Sequence, residues 1–259
     1  MNDSNRPAAM AQWLWDARQQ RLPYRNLPDA LRPASIEEAY AAQEHYYRLA
    51  EPLLGAVAGA KIATTTKVMQ QLMGISHPCG GAIFARTIHR SPASLRAADF
   101  INLRIESEIA LQLRSDLPAA GAPWTRDTVE SAVAGAMPAF ELIEDRNADY
   151  SKTEVTSLIA ENCWNGGAVV GTPKPLPTAA LVGIAGRLAI NGKTVGQGAA
   201  EDPIATLAWL ANHLAERSRD LKAGMIVITG SLIPTVSVAS GDRAVFAVDG
   251  LGEAAMDVR

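Results

Sequence analysis

Cysteine is nearly missing from this chain, and its scarcity removes whole classes of chemistry. Only Cys79 and Cys163 occur in 259 residues, far apart and without a Cys-x-x-Cys pair. Neither a zinc site nor a disulfide framework is suggested. Positive charge is also short. Lys and Arg number 24 against 27 Asp and Glu, the net charge is −3, and no basic run occurs. That leaves no electrostatic footprint for nucleic acid. No apolar run approaches the ~20 residues of a membrane span. The opening MNDSNRPAAMAQWLWDARQQ has no basic-then-apolar leader pattern. A reducing cytoplasm is the expected compartment, with neither membrane nor nucleic acid as partner.

Several catalytic signatures are missing as well. There is no GxSxG, no GxxxxGK[ST] and no HExxH. GQGAAE at 196–201 starts like a dinucleotide fingerprint, but Glu201 stands where close helix–strand packing needs Gly or Ala. The four histidines show no ligand spacing. His45 and His213 fall in predicted helices and read as surface or packing residues. His77, in the loop GISHPCGG, is the one candidate proton carrier.

What the chain does have is apolar residues, 48% of the total. That suffices for one large domain, or for a small N-terminal piece with a larger body behind it. The first part reads as helical. Met10 to Arg21 carries Trp13, Leu14 and Ala17 at helical spacing. A second helix opens at SIEE, where Ser35 and Glu38 suit a capping box, and runs to about Leu53. A short helix is expected near Thr65–Met73. From about residue 82 strands dominate: GAIFARTI, LRIESEIALQL, PAFELI, GGAVVG, MIVITG and RAVFAV. GRLAINGKTVGQG reads as a hairpin turning at Asn191–Gly192. Two helices interrupt them, TRDTVESAVAGAM and one starting at Pro203. This order favours an α+β body over a doubly wound sheet.

Within that body, RIESEIALQL holds the chemistry. Leu103, Ile105, Ile109, Leu111 and Leu113 alternate with Arg104, Glu106, Glu108 and Gln112. The period of two predicts a strand with both glutamates on one face. Two readings stand: a solvated outer face beside Arg104, or a pair of ligands for a hard divalent cation. Glu141, among apolar residues in PAFELI, is expensive unless neutral, paired or metal-bound. It forms either a salt bridge to Arg146 or, with Glu106 and Glu108, a three-carboxylate site suited to Mg²⁺ or Mn²⁺.

Six stretches occur in one order between about residues 55 and 258: GAKIATTTKVMQQLMGISHP, RIESEIALQL with DLP, PAFELIEDR, AENCWNGGAVVG, TLAWLANHLAERSRDLKAGMIVITGSL and SGDRAVFAVDGLGEAAMDV. Together they resemble the 2-keto-4-pentenoate hydratase family of the fumarylacetoacetate hydrolase superfamily. The resemblance implies an α+β fold, a mixed β roll with peripheral helices. It implies a helical N-terminal segment over 1–80, a catalytic β-roll domain over 81–259, and assembly into a homo-oligomer. The metal ligands would be Glu106, Glu108 and Glu141, holding Mg²⁺ or Mn²⁺. Lys61 would be the active-site lysine, and Thr65, Arg146 and Ser231 would lie at the substrate pocket.

The implied reaction is hydration of a 2-hydroxy-2,4-dienoate, a 2-oxo acid in its enol form, to a 4-hydroxy-2-oxo acid during catabolism of aromatic or related compounds. Alternatives are decarboxylation of a 2-oxo-dienedioate, hydrolytic C–C cleavage of an acylpyruvate, and a non-catalytic partner subunit. The chain departs from the family at Cys79–Gly80, where an aspartate and an aromatic are usual, at Ala63, and at Glu161 in Ala160–Glu161–Asn162.

Overall fold

The computed structural model describes residues 5–175 and 177–259. Its first layer is helical. Helix α1 spans Arg6–Gln19, with Pro7 in the first turn, where a missing N–H costs nothing. It buries Met10, Ala11, Leu14, Trp15 and Ala17. Helix α2 spans Ile36–Leu54, and its N-cap Ser35 accepts a hydrogen bond from the Glu38 N–H. The reciprocal half of the capping box is displaced by one residue: the Glu38 carboxylate accepts from Ala34 N–H at 2.6 Å and pairs with Arg6 at 2.9 Å. Trp15 meets Tyr46 edge to face at 5.4 Å, which locks α1 onto α2.

Strands follow. They are β1 Val57–Ala63, β2 Cys79–Phe84, β3 Ile88–Arg90, β4 Ala93–Leu95, β5 Leu103–Leu113 and β6 Val133–Glu144. Next come β7 Asn165–Val170, β8 Ala185–Ile190, β9 Lys193–Ala199, β10 Ile226–Ser237, β11 Arg243–Val248 and β12 Gly252–Val258. The shorter helices are α3 Lys67–Leu72, α4 Arg126–Glu130 and α5 Val155–Ala160; the last is α6 Pro203–Ala215, capped by Asp202. No helix among the described residues is long and apolar enough to cross a membrane.

Two mixed sheets result. The larger runs β2-β1-β10-β5-β6-β7-β3 and the smaller β4-β12-β11-β8-β9. One apolar cluster joins them, with Phe140 of β6 against Phe246 of β11, ring centroids 6.2 Å apart. This is the mixed α+β architecture expected.

The hairpin turns where expected, with Asn191 and Gly192 both left-handed at φ 50° and 79°. Other expectations fail locally. TRDTVESAVAGAM is helical only over Arg126–Glu130. Val133–Met137 instead extends β6, because β5 offers partners from Ala110 to Leu113. Cross-strand pairing there outweighs weak helical preference. The loop GISHPCGG stops at Pro78, since Cys79 already pairs with Ala63. The segment 1–80 is not wholly helical: β1 lies inside the large sheet between β2 and β10. Residues 1–4 of that segment lie outside the described ones.

Candidate active site

Four adjacent strands of the large sheet build the site. Glu106 and Glu108 stand two apart on β5 and so share a face. Glu141 of β6 is directly opposite Glu106. Ser231 of β10 is opposite Glu108, and Lys61 of β1 pairs with Ile228 of β10. One carboxylate oxygen from each of Glu106, Glu108 and Glu141 lies within 4.8 Å of the others. Glu108 and Glu141 are fully buried and Glu106 half-buried, so the solvated-face reading is set aside.

Lys61 sits 1% exposed beside them. Its Nζ lies 3.0 Å from Glu141 Oε1 and donates to the Cys163 carbonyl at 3.5 Å. Its stem passes Gly81 of β2, where a Cβ would lie 3.1 Å from Lys61 Cδ and 2.9 Å from Asn162 Oδ1. Only glycine leaves that passage open. The carbonyl of Cys163 is aimed by an unusual turn in which Asn162, Cys163 and Trp164 are all left-handed, φ 49–59°. Such conformations cost about 1–2 kcal/mol per non-glycine residue. Asn162 anchors the turn, accepting from Ala82 N–H at 2.7 Å and donating to Ala82 O at 2.9 Å.

The remaining polar contacts hold the carboxylates in place. Asn165 Nδ2 donates to Glu141 Oε1 at 2.9 Å, and Thr235 donates to Glu106 Oε1 at 2.6 Å. The Gly230 N–H donates to Glu108 Oε2 at 2.7 Å. Gly230 is left-handed at φ 106°, within an irregular stretch of the β10–β5 register.

Burial, and then Glu141 and Glu106, push Glu108 well above the usual carboxylate range, against Lys61 and the Gly230 N–H. Burial raises Glu141 to about 7, with Glu106 adding, although Lys61 and Asn165 pull the other way. For Lys61, burial opposes the charge, yet Glu141 leads the groups that raise it above an ordinary lysine. Three carboxylates against one ammonium leave an excess of two negative charges when all are ionised. A divalent ion would neutralise that excess. The residues fit one: Glu108 Oε1 and Glu141 Oε2 are buried without any hydrogen-bond partner, and an all-oxygen donor set suits a hard cation.

A pH dependence follows from Glu141. Its carboxyl titrates higher in the fold than its ordinary 4.5. The stability linked to it is therefore present below about pH 4.5 and lost as pH rises through about 7. Without metal, this group should lower the thermal midpoint between about pH 5 and about pH 8, and added Mn²⁺ should cancel most of that fall. Thermal melts with and without Mn²⁺ measure it; a Mn²⁺ shift that does not grow with pH would contradict it.

Above the carboxylates lies a cavity of about 450 Å³ lined by Lys61, Thr65, Glu106 and Ser231, among others. Thr65 and Ser231 thus line the same cavity as Lys61. Ser231 Oγ donates to the Ile233 carbonyl at 2.6 Å. Two expected residues lie elsewhere. Arg146 neither pairs with Glu141 nor lines this cavity. Its guanidinium pairs with buried Glu161 and donates to Leu22 O at 2.8 Å, beside a different cavity under α1. Lys61, reached from β1, is the cation Glu141 takes instead. His77 is exposed, its Nδ1 2.8 Å from the Pro78 carbonyl, and it does not line the cavity.

Cys79 faces the same side of the sheet as Gly81 and Lys61, paired with Ala63. Burial raises both cysteine thiols, so neither is a ready thiolate nucleophile. Sequence reasoning missed Asn162, Asn165, Gly81 and Thr235. Two asparagines around a bulky Cys–Trp pair before Gly166–Gly167 were the available signal for the first two; Thr235 offered none.

A family model described as fumarylacetoacetate (FAA) hydrolase, C-terminal, matches residues 78–259. The chain is 31% identical to a 2-hydroxyhexa-2,4-dienoate hydratase of Comamonas testosteroni, over 97% of each chain. It is 32% identical to a 2-keto-4-pentenoate hydratase of Burkholderia vietnamiensis (strain G4 / LMG 22486), again over 97% of each. Among solved structures it is similar to the 4-oxalocrotonate decarboxylase of Pseudomonas putida G7, complexed with magnesium and adipate. The TM-score is 0.91 at 23% identity, covering 100% of this chain and 99% of that one.

Proposed function

Because this chain belongs to the fumarylacetoacetate hydrolase family, in its 2-keto-4-pentenoate hydratase branch, we propose that it is a divalent-metal-dependent hydro-lyase. It adds water to a 2-hydroxy-2,4-dienoate and forms a 4-hydroxy-2-oxo acid. The observation that carries this reading is the meeting of Glu106, Glu108 and Glu141 with Lys61, beside a cavity that Glu106 and Lys61 line.

The three glutamates would hold Mg²⁺ or Mn²⁺. When bound, the ion supplies Lewis-acid neutralisation for the carboxylate and C2 oxygen of a 2-oxo acid. Lys61 adds a fixed positive charge. Its raised pKa keeps it cationic, so it stabilises negative charge developing on the C2 oxygen and does not act as a base. Glu141 and the Cys163 carbonyl hold the ammonium in place. As the C2 hydroxyl loses its proton and C5 gains one, the double bond moves into conjugation with the new C2 carbonyl. Water then adds across C3–C4, its oxygen at C4. Ser231 and Thr235 border the cavity; their hydroxyl protons go to the Ile233 carbonyl and to Glu106, so each can only accept from the substrate. A homo-oligomer in the cytoplasm belongs to the same reading and rests on family resemblance alone.

The direct test is incubation with Mg²⁺ and 2-hydroxypenta-2,4-dienoate. Loss of dienol absorbance with formation of a 4-hydroxy-2-oxo acid is expected; no loss across several chain lengths would contradict it. Decarboxylation finds weaker support, since likeness to a decarboxylase at 23% identity concerns the fold. C–C hydrolysis needs a water-activating histidine, and exposed His77 does not line the cavity. His77→Ala should therefore keep its turnover within about twofold of the parent. A collapse of activity in a folded variant would reinstate the histidine.

A further inference from the structure

We infer, resting on the hydratase reading above, that the substrate is a monocarboxylate whose end beyond C5 is an uncharged, apolar tail of several carbons. The cavity has two unlike ends. Lys61 and Glu106 occupy the sheet end. An apolar wall is built from Met69, Met73, Leu158, Trp164 and Tyr150, joined by Ile143 on the sheet two residues from Glu141. These residues belong to one apolar cluster that spans α3, α5 and the left-handed turn. Trp164 is held edge to face between Tyr24 at 5.0 Å and Tyr150 at 5.1 Å. That makes the wall rigid on one side, while the two methionines keep it adaptable on the other.

No cation on that wall could receive a second carboxylate. Among the described residues lining the cavity there is no arginine, and Lys61 is the one lysine. Lys61 stands at the sheet end beside Glu141, where it serves the C2 oxygen and not the tail. Arg104 does not line the cavity, and its guanidinium sits 5.6 Å from the centroid of the Tyr150 ring. It donates to the Tyr150 hydroxyl at 3.3 Å and to Ser237 at 3.2 Å, with Asp145 at 3.5 Å. The Tyr150 hydroxyl is itself spent on Asp145 Oδ2 at 3.1 Å. Lys67 on α3 is turned to Gln70 at 3.2 Å, and Arg146 is paired with Glu161. A carboxylate at the tail end would shed its water without gaining a cationic partner.

Size points the same way. At roughly 30 Å³ per water-sized group, the ~450 Å³ cavity holds about fifteen such groups. A five-carbon dienoate fills roughly half of that space. Room for an alkyl or aryl tail remains after the ion and a reacting water are placed.

The test compares 2-hydroxypenta-2,4-dienoate, 2-hydroxyocta-2,4-dienoate and 2-hydroxyocta-2,4-dienedioate under Mg²⁺. The eight-carbon monoacid, with its uncharged tail, is expected to exceed the five-carbon one in kcat/KM by about tenfold. It should exceed its diacid counterpart by about a hundredfold or more. Equal or better turnover of the diacid would overturn the inference and leave hydration standing. No turnover of any of the three would count against the hydratase reading itself.

Binding decides the inference in that case too. Displacement of 2-oxooctanoate and 2-oxooctanedioate from the Mn²⁺-loaded chain should favour the neutral tail by a similar factor, and equal binding would overturn it. Met69 is half-buried on α3 and open to replacement. Met69→Arg should narrow the gap between acid and diacid about tenfold or more. An unchanged ratio in the folded variant would remove Met69 from the tail wall.

Discussion

Replacing Lys61 with methionine is expected to lower kcat about 10²–10³-fold while leaving divalent-metal binding in place. The factor is that of losing one preorganised group aimed at developing negative charge. Lys61 is also half of a buried ion pair, 3.0 Å from Glu141 with both side chains almost wholly inaccessible. Removing one partner of such a pair typically costs about 3–5 kcal/mol, because the other charge is stranded. Methionine keeps the stem that passes Gly81, so lost packing contributes little. The metal-free variant should therefore melt lower than the parent. The deficit should be largest above about pH 7, where Glu141 has lost the proton that burial lets it keep. Added Mn²⁺ should restore most of the midpoint and little of the activity. Recovery of both together would mean that Lys61 serves the fold and not the reaction.

Glu108→Gln is expected to act with the opposite sign on stability. Glu108 is fully buried, faces Glu106 and Glu141, and titrates far above an ordinary carboxyl because burial and those two neighbours disfavour its charge. A neutral amide of the same shape relieves that repulsion. It can still accept the Gly230 N–H through its carbonyl oxygen. The metal-free variant should melt at or above the parent. Its divalent-ion affinity should fall about a hundredfold or more with loss of one of three anionic ligands, and activity at limiting metal should fall by at least as much. One variant weakens the empty protein and keeps the metal; the other strengthens the empty protein and loses it. Generic damage to a core does not produce that pair of outcomes.

The site was unevenly legible in the sequence. Glu106 and Glu108 could be placed together because period-two alternation within a single strand needs no tertiary information. Glu141 stood out because an isolated carboxylate in an apolar run demands a partner. Its partner was a different matter. Arg146, five residues on, was the near candidate, whereas Lys61 reaches it from eighty residues away through the order β1-β10-β5-β6. Sheet order is set by long-range pairing, which local pattern does not encode. β1 itself was missed because GAKIA carries little β-branched or aromatic signal. The left-handed turn at Asn162–Trp164 has only a faint propensity signature, since asparagine tolerates that region but cysteine and tryptophan oppose it. It exists because Asn162 is clamped on both sides by Ala82. The helical front of the molecule and the Asn191–Gly192 hairpin were readable because caps and turns are local physics.

Mn²⁺ titration of the purified chain, followed by water-proton relaxation, tests the central claim most directly. One Mn²⁺ should bind per chain, with affinity reduced about a hundredfold or more in each of Glu106→Gln, Glu108→Gln and Glu141→Gln, and the bound signal should change when a 2-oxo acid such as pyruvate is added. No saturable binding, or binding as strong in all three variants as in the parent, would contradict a metal centre made by these glutamates.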